Sequence, residues 1–398
     1  MSRPRDVVLL LASMVLASVP VGYLQVVLPL YLLRAGLEPS LIGLLYSLSG
    51  LVTAGLVAFS GALADRFGRR GFLIWGTLLP IGSYAVFAAT TNTAWLVMAS
   101  VIGGVGLANG AAGALTAASF DALLADHTPL RDRTSVFAWA QALWSLALGA
   151  GSMAAALPTW LHASVPGMRE VDAYRPPFVS IIVVAIIATL LLLPVRRLES
   201  SSSSSLAAAS WWPRRSVGLI GRYAVALGLF GLGLGIAVQL LPVWFRLRFG
   251  VDEATLGPWY ATAQLLSLSS VVVAPWLDRH IGSATTVLLV HVFGGVCLLG
   301  IALVAPAFEL AAVAFVVRNV LANVAWPLQQ STLMTAVDPQ ERGTAAGVGF
   351  AVWGLANAAG PALAGSLLQN GSLELPLLVG SASYAMGGLA FGLGFRRR

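Results

Sequence analysis

Four polar or aromatic residues recur on one side of a single apolar run: Asn319, Asn323, Trp326 and Gln330. Residues three, four and seven apart share a helical face, so this set would present amides beside an indole. Such groups recognise rather than react: amides fix a ligand by hydrogen bonds, and an aromatic face takes its apolar part. Shorter sets follow the same spacing elsewhere, at Ser18, Gly22, Gln25 and Pro29, at Gly228, Gly235, Gln239 and Pro242, and at Asn109, Gly113 and Thr116. Amides turned towards lipid would be left without partners, which is costly, so each set is expected to look into a polar interior. Gln141, Trp144, Gln264, Trp353 and Asn357 are further candidates. Arg318 lies well inside its apolar run, where a charge is expensive enough to imply a role. Glu309 falls on the opposite helical face and cannot readily neutralise it, so the expected partner is an anionic or electron-rich group of a bound molecule. Asp121, the one carboxylate well inside an apolar run of the first half of the chain, could carry a coupling proton.

No catalytic or metal site assembles from the remaining residues. His127, His162, His280 and His291 are scattered, and none has ligand spacing to a carboxylate or cysteine. Glycines from Gly228 to Gly235 lie inside an apolar run, where they let helices pack closely rather than cradle phosphate. The single cysteine, Cys297, forms no intramolecular disulfide. An enzyme is not expected, and neither a cofactor nor a metal is implied.

The elements that must position these residues are membrane spans. Of 398 residues, 58% are hydrophobic and 10% charged, far from soluble composition. Apolar runs fall at 7–33, 39–64, 71–90, 94–124, 134–157, 177–195, 217–245, 253–277, 283–305, 308–336, 343–368 and 374–394, each compatible with a spanning helix. The first is too long for a signal-peptide core and is kept as a span. The net charge of +7 comes from arginines clustered between runs, which suits topology and anionic headgroups rather than nucleic acid. With the N-terminus inside, the connections holding Arg66, Arg69, Arg70, Arg131, Arg133, Arg196, Arg197, Arg214, Arg215, Arg279 and Arg342 all face one side. Only Arg34, Arg169, Arg175, Arg246 and Arg248 fall on the other, which places both termini in the cytoplasm.

The chain also repeats itself. Leu28-Pro29-Leu30-Tyr31 returns as Leu241-Pro242-Val243-Trp244 at an offset of 213, from Tyr31 to Trp244. Gly43 answers to Gly257, Asp65-Arg66 to Asp278-Arg279, and Trp144 and Gly151 to Trp353 and Gly360. Two six-span halves, 1–195 and 217–398, are therefore expected, joined by a cytoplasmic tether at 196–216 that contains a serine run. The outer loop 158–176, with Arg169, Glu170, Asp172 and Arg175, reads as a solvated connector.

Between spans 2 and 3 runs Gly61-Ala-Leu-Ala-Asp65-Arg66-Phe-Gly68-Arg69-Arg70. The positive-inside rule explains its arginines but neither its glycines nor its aspartate. This pattern resembles the signature loop of the major facilitator superfamily. The resemblance covers essentially the whole chain and implies an all-α membrane protein of twelve transmembrane helices in two pseudo-symmetric halves. It implies a cavity lined by spans 1, 4, 7 and 10, where Gln25, Asn109, Gln239, Arg318, Asn319, Asn323, Trp326 and Gln330 would bind substrate. It further implies that Gly61, Asp65, Arg66, Gly68, Arg69 and Arg70, and less specifically Asp278 with Arg279, form a conformational switch in which Asp65 is the latch. A helix N-terminus, carrying about half a positive charge, would favour such a carboxylate.

Length, short loops and Gly360-Pro361 make the chain similar to twelve-helix drug and metabolite exporters. The expected function is proton-coupled export of a small amphipathic molecule by a monomer in the cytoplasmic membrane. Gly151-Ser152 stands where such antiporters carry Gly-Pro, and span 1 has no acid. An uptake permease or uncoupled facilitator is the alternative, and a membrane sensor the alternative of another class.

Overall fold

The computed structural model describes residues 4–104, 110–196, 215–303, 307–339 and 341–395, with the side chains of 4, 58–67, 110–112, 114–115, 117–118 and 134 left aside. Asn109 and residues 197–214 of the serine-rich tether lie outside the described residues. The helices are α1 (Pro4–Arg34), α2 (Pro39–Phe67), α3 (Arg69–Ala89), α4 (Thr93–Gly103), α5 (Gly110–His127), α6 (Arg133–Met153), α7 (Leu157–Ser164) and α8 (Arg175–Leu192). They continue as α9 (Val217–Ala237), α10 (Leu241–Phe249), α11 (Glu253–Ser267), α12 (Ser270–Ile281), α13 (Ser283–Leu303), α14 (Phe308–Ala336), α15 (Arg342–Gln369) and α16 (Glu374–Phe395). No strand occurs among the described residues.

Among the described residues, ten helical stretches are long and apolar enough to cross a bilayer, and α11 with α12, bent by 48°, would make an eleventh. Helices prevail because backbone groups in hydrocarbon must be satisfied within their own segment. The fourth expected span appears as α4 and α5, on either side of residues 105–109. α7 occupies part of the stretch expected to be a loop; Pro158 sits in its first turn, where a missing N–H leaves no bond unmade.

The chain packs as two compact units, one holding residues up to 200 with Gly250–Leu265, the other the remainder. In the first, α1 crosses α6 at Gly22 and Gly151, so closely that a Cβ on Gly151 would lie 2.8 Å from the Tyr23 backbone nitrogen. In the second, α9 crosses α15 at Gly235 and Gly360, where a Cβ on Gly235 would come within 3.1 Å of Gly360 Cα. Gly22 and Gly235 are separated by the repeat offset, 235 − 22 = 213, so the same small-residue crossing recurs in each unit.

Aromatic residues complete both interiors. Tyr31, Phe87, Tyr174 and Phe178 pack with centroids 5.0 to 6.4 Å apart in the first unit, and the Tyr31 hydroxyl donates to the Phe87 carbonyl at 3.0 Å. Its repeat counterpart Trp244 donates to the Leu373 carbonyl at 2.7 Å in the second. A hydrogen-bonding aromatic thus ends the first span of each repeat and ties it to a neighbour.

Candidate functional site

Two faces of α14 divide the polar residues of its sequence. Arg318 and Gln329 are buried on one, Arg318 against α16 and Gln329 against α13. The Arg318 guanidinium lies 4.7 Å from the Tyr384 ring centre, a cation over an aromatic face. Beside it, His291 stacks on Phe230 at 3.6 Å, and its Nε2 meets Gln329 Nε2 at 3.4 Å. The structure therefore places Arg318 in the packed interior of the second unit, 2% exposed, away from the amides that follow it in sequence.

The other face carries the recognition set. Asn319 and Asn323 both donate to Ser267 Oγ, at 3.1 and 3.2 Å, and both are only partly buried. Trp326, 38% exposed, meets Phe350 at 5.6 Å and Trp353 at 5.9 Å between ring centres. Gln330 is half-buried on the same face. Amides beside an accessible aromatic trio can hold a molecule with one polar edge and one apolar face.

Gln25 and Gln239 serve the helix crossings. Gln25 Nε2 donates to Ser152 Oγ at 3.2 Å, while that hydroxyl lies 3.1 Å from the Gly22 carbonyl and 3.0 Å from that of Leu148. Gln239 Nε2 donates to Asn357 Oδ1 at 2.8 Å. Both glutamines are buried, and in each unit the amide bridges the first span of the repeat to the fifth. Ser152, in the place of the expected proline, is what makes the first bridge possible.

The charged turn is partly visible. Gly61, Asp65 and Arg66 lie within α2 by backbone, with side chains outside the described ones. Gly68 turns the chain with φ 96°, and Gly282 does so after Asp278 and Arg279 with φ 80°. Side chains with a Cβ rarely adopt that region, so the glycines of both turns follow from geometry. Arg69 pairs with Asp126 at 2.7 Å, and Arg70 donates to the Leu192 carbonyl at 3.1 Å and to that of Leu193, capping the end of α8. In the second repeat Asp278 accepts from Ser283, and Arg279 is exposed. Asp121 is also exposed, on α5.

A further cluster was not legible in the sequence. In the first unit Arg34 at the end of α1 reaches Glu253 at 3.0 Å and Glu170 at 3.1 Å. Tyr174 accepts from Arg34 and donates to Glu253. The Glu253 side chain is 0% exposed. At the start of a helix an acid reads as a favourable first-turn residue, which hid Glu253; Glu170 and Tyr174 belong to a stretch that reads as a solvated loop.

A model of the Major Facilitator Superfamily matches residues 10–361. The tetracycline resistance protein of class H from Pasteurella multocida is 27% identical over 165 residues, 41% of this chain and 40% of that one. The quinolone resistance protein NorA of Staphylococcus aureus is 27% identical over 139 residues, 35% of this chain and 34% of that protein. The matched region thus spans well under half the length of these relatives. Among solved structures, the nucleoside transporter NupG superposes with a TM-score of 0.72 at 13% identity, covering 100% of both chains. The human organic anion transporter MFSD10 does so at 0.65 and 18% identity, over 98% of this chain and 100% of its own. At such identities the likeness is one of fold.

Proposed function

Because the chain belongs to the Major Facilitator Superfamily, and so is a multi-pass membrane transporter rather than an enzyme, we propose that it exports a small amphipathic molecule in exchange for protons. Alternating access is the means, with repeats 1–195 and 217–398 as the moving parts, both termini cytoplasmic and a monomer as the working unit. The observation that carries the substrate class is the α14 face: Asn319, Asn323 and Gln330 beside the accessible rings of Trp326, Phe350 and Trp353. Partial relatives that are drug-resistance proteins favour export. Asp65, Arg66 and Asp278 with Arg279 are the proposed conformational switches. Uptake is the second reading, favoured by Gly151-Ser152 in place of Gly-Pro.

The test is flux into proteoliposomes of a compound panel, with and without an imposed pH gradient. Trp326→Ala is expected to weaken apparent affinity for planar aromatic compounds by roughly two- to tenfold, as the loss of about 0.5–1.5 kcal/mol from one aromatic contact implies. Small polar compounds should be unaffected. An unchanged ranking would remove the α14 face from substrate recognition, and flux indifferent to the gradient would remove proton coupling.

A further inference from the structure

We propose that Glu253 is a proton-binding site of this protein, and that its protonation hands Arg34 over to Glu170. The proposal rests on the proton-coupled reading above and assigns the proton to an acid other than Asp121. Within the first compact unit, α1, the connection before α8 and the start of α11 bring one guanidinium against two carboxylates. Glu253 is enclosed at 0% side-chain exposure, Arg34 nearly so at 12%, while Glu170 is open to solvent at 50%.

With all three ionised, the cluster carries one positive and two negative charges. An excess charge in an enclosed site is strongly unfavourable. One proton removes it: an O–H bond forms on Glu253 as a hydronium ion at the open Glu170 side gives up its proton and leaves water. Arg34 then keeps a single charged partner, the solvated Glu170, beside its bond to Tyr174. Glu253 is the acid to take the proton because water already stabilises the Glu170 carboxylate.

Neighbouring groups do not supply the missing positive charge. Arg169 and Arg175 bring two positive charges, but Asp172, which engages them at 2.6 and 3.3 Å, and Asp252, which accepts from Thr255 at 2.9 and 2.8 Å, bring two negative ones, so these four add no net charge. His162 of α7 meets the Met168 carbonyl at 3.0 Å. α6 packs against α11 through Ser152 and Gly149, and its one charged residue, Arg133, is at its far end, bonded to the Ala125 carbonyl at 2.9 Å. Tyr174 and Tyr23 bring hydroxyls rather than charges, that of Tyr23 being buried within electrostatic reach of Glu253.

The start of α11 is bound to α1 by an ion pair while Glu253 is charged, and by the weaker contact of the Arg34 cation with a neutral carboxyl group once it is protonated. A proton arriving on this side would therefore loosen a helix of the second repeat from the first span.

The test uses the full chain in lipid vesicles. Infrared difference spectra between alkaline and acidic buffer should show a carboxyl carbonyl band that is lost in Glu253→Gln and kept in Asp121→Asn. Tyr174→Phe should move that band in frequency without removing it, which assigns it even where Glu253→Gln folds poorly. A spectrum unchanged in Glu253→Gln overturns the proposal. With tetracycline and a quinolone as probes, Glu253→Gln should lose accumulation driven by a pH gradient while keeping exchange at equal concentrations. Gradient-driven accumulation at the wild-type level would overturn it as well. Should the wild type itself ignore the gradient, the proton-coupled reading fails, while the infrared band still decides whether Glu253 binds a proton.

Discussion

Gly360→Val is expected to leave little folded protein in the membrane. A Cβ at this position would lie 2.5 Å from Gly235 Cα and would also collide with the Ile236 backbone nitrogen, so no rotamer change can relieve it. The α9 and α15 axes would have to part at the point where Gln239 donates to Asn357 at 2.8 Å. Overpacking of this kind costs roughly 1–3 kcal/mol, and separating the helices adds the loss of a buried amide bond of about 1 kcal/mol. Gly151→Val, at the matching crossing, should behave alike, since its Cβ would meet Val19 and Tyr23 backbone. Gly347→Ala is the control: it lies on the same helix as Gly360, and nothing stands within 4 Å of where its added methyl group would sit. Thermal melting of detergent-purified protein, with size-exclusion profiles, gives the comparison. A monodisperse Gly360→Val protein melting with the wild type would show that the crossing tolerates separation.

Asp65→Asn should act on the transport cycle instead of on folding. The residue lies one turn before Gly68, at the cytoplasmic end of α2 in the proposed orientation, and is the proposed latch. A carboxylate facing a helix N-terminus is favoured by roughly 0.3–2 kcal/mol, and an amide forfeits most of that. Populations of the two access states would shift by roughly two- to thirtyfold, slowing turnover by a similar factor if the favoured state becomes scarce. Because asparagine matches aspartate in size and shape, the melting temperature should stay at its wild-type value. Flux at matched expression decides it, and wild-type turnover in Asp65→Asn would end the latch assignment.

The two variants separate roles that both rest on small sequence signals. Gly360 was already paired with Gly151 by the internal repeat, and that pairing has a spatial meaning: each glycine sits where the fifth span of its repeat crosses the first. Ser152 shows how a departure from the expected Gly-Pro can be absorbed, since its hydroxyl takes the bond offered by Gln25 at 3.2 Å.

Much of the architecture was legible in the residues alone. Hydropathy fixes where helices must form, because a backbone in hydrocarbon has no other way to satisfy its polar groups. The repeat and the Gly61 to Arg70 turn pointed to the family, and the structure supplies the reason for the glycines at 68 and 282, which take positive φ. Periodicity also grouped Asn319, Asn323, Trp326 and Gln330 correctly on one face of α14, because helical spacing is a local property.

What lay beyond the sequence were relations between distant segments. Arg318 reads as exceptional in one dimension, yet its surroundings, Tyr384 at 4.7 Å and His291, come from α16 and α13. Glu253 reads as an ordinary first-turn acid, yet chain folding encloses it and sets it against Arg34, 219 positions earlier (253 − 34), and Tyr174. Burial and pairing of a charge depend on which helices meet, and composition along one helix carries no record of its neighbours. Tertiary structure therefore decided which charges are solvated, which are packed and which share a partner.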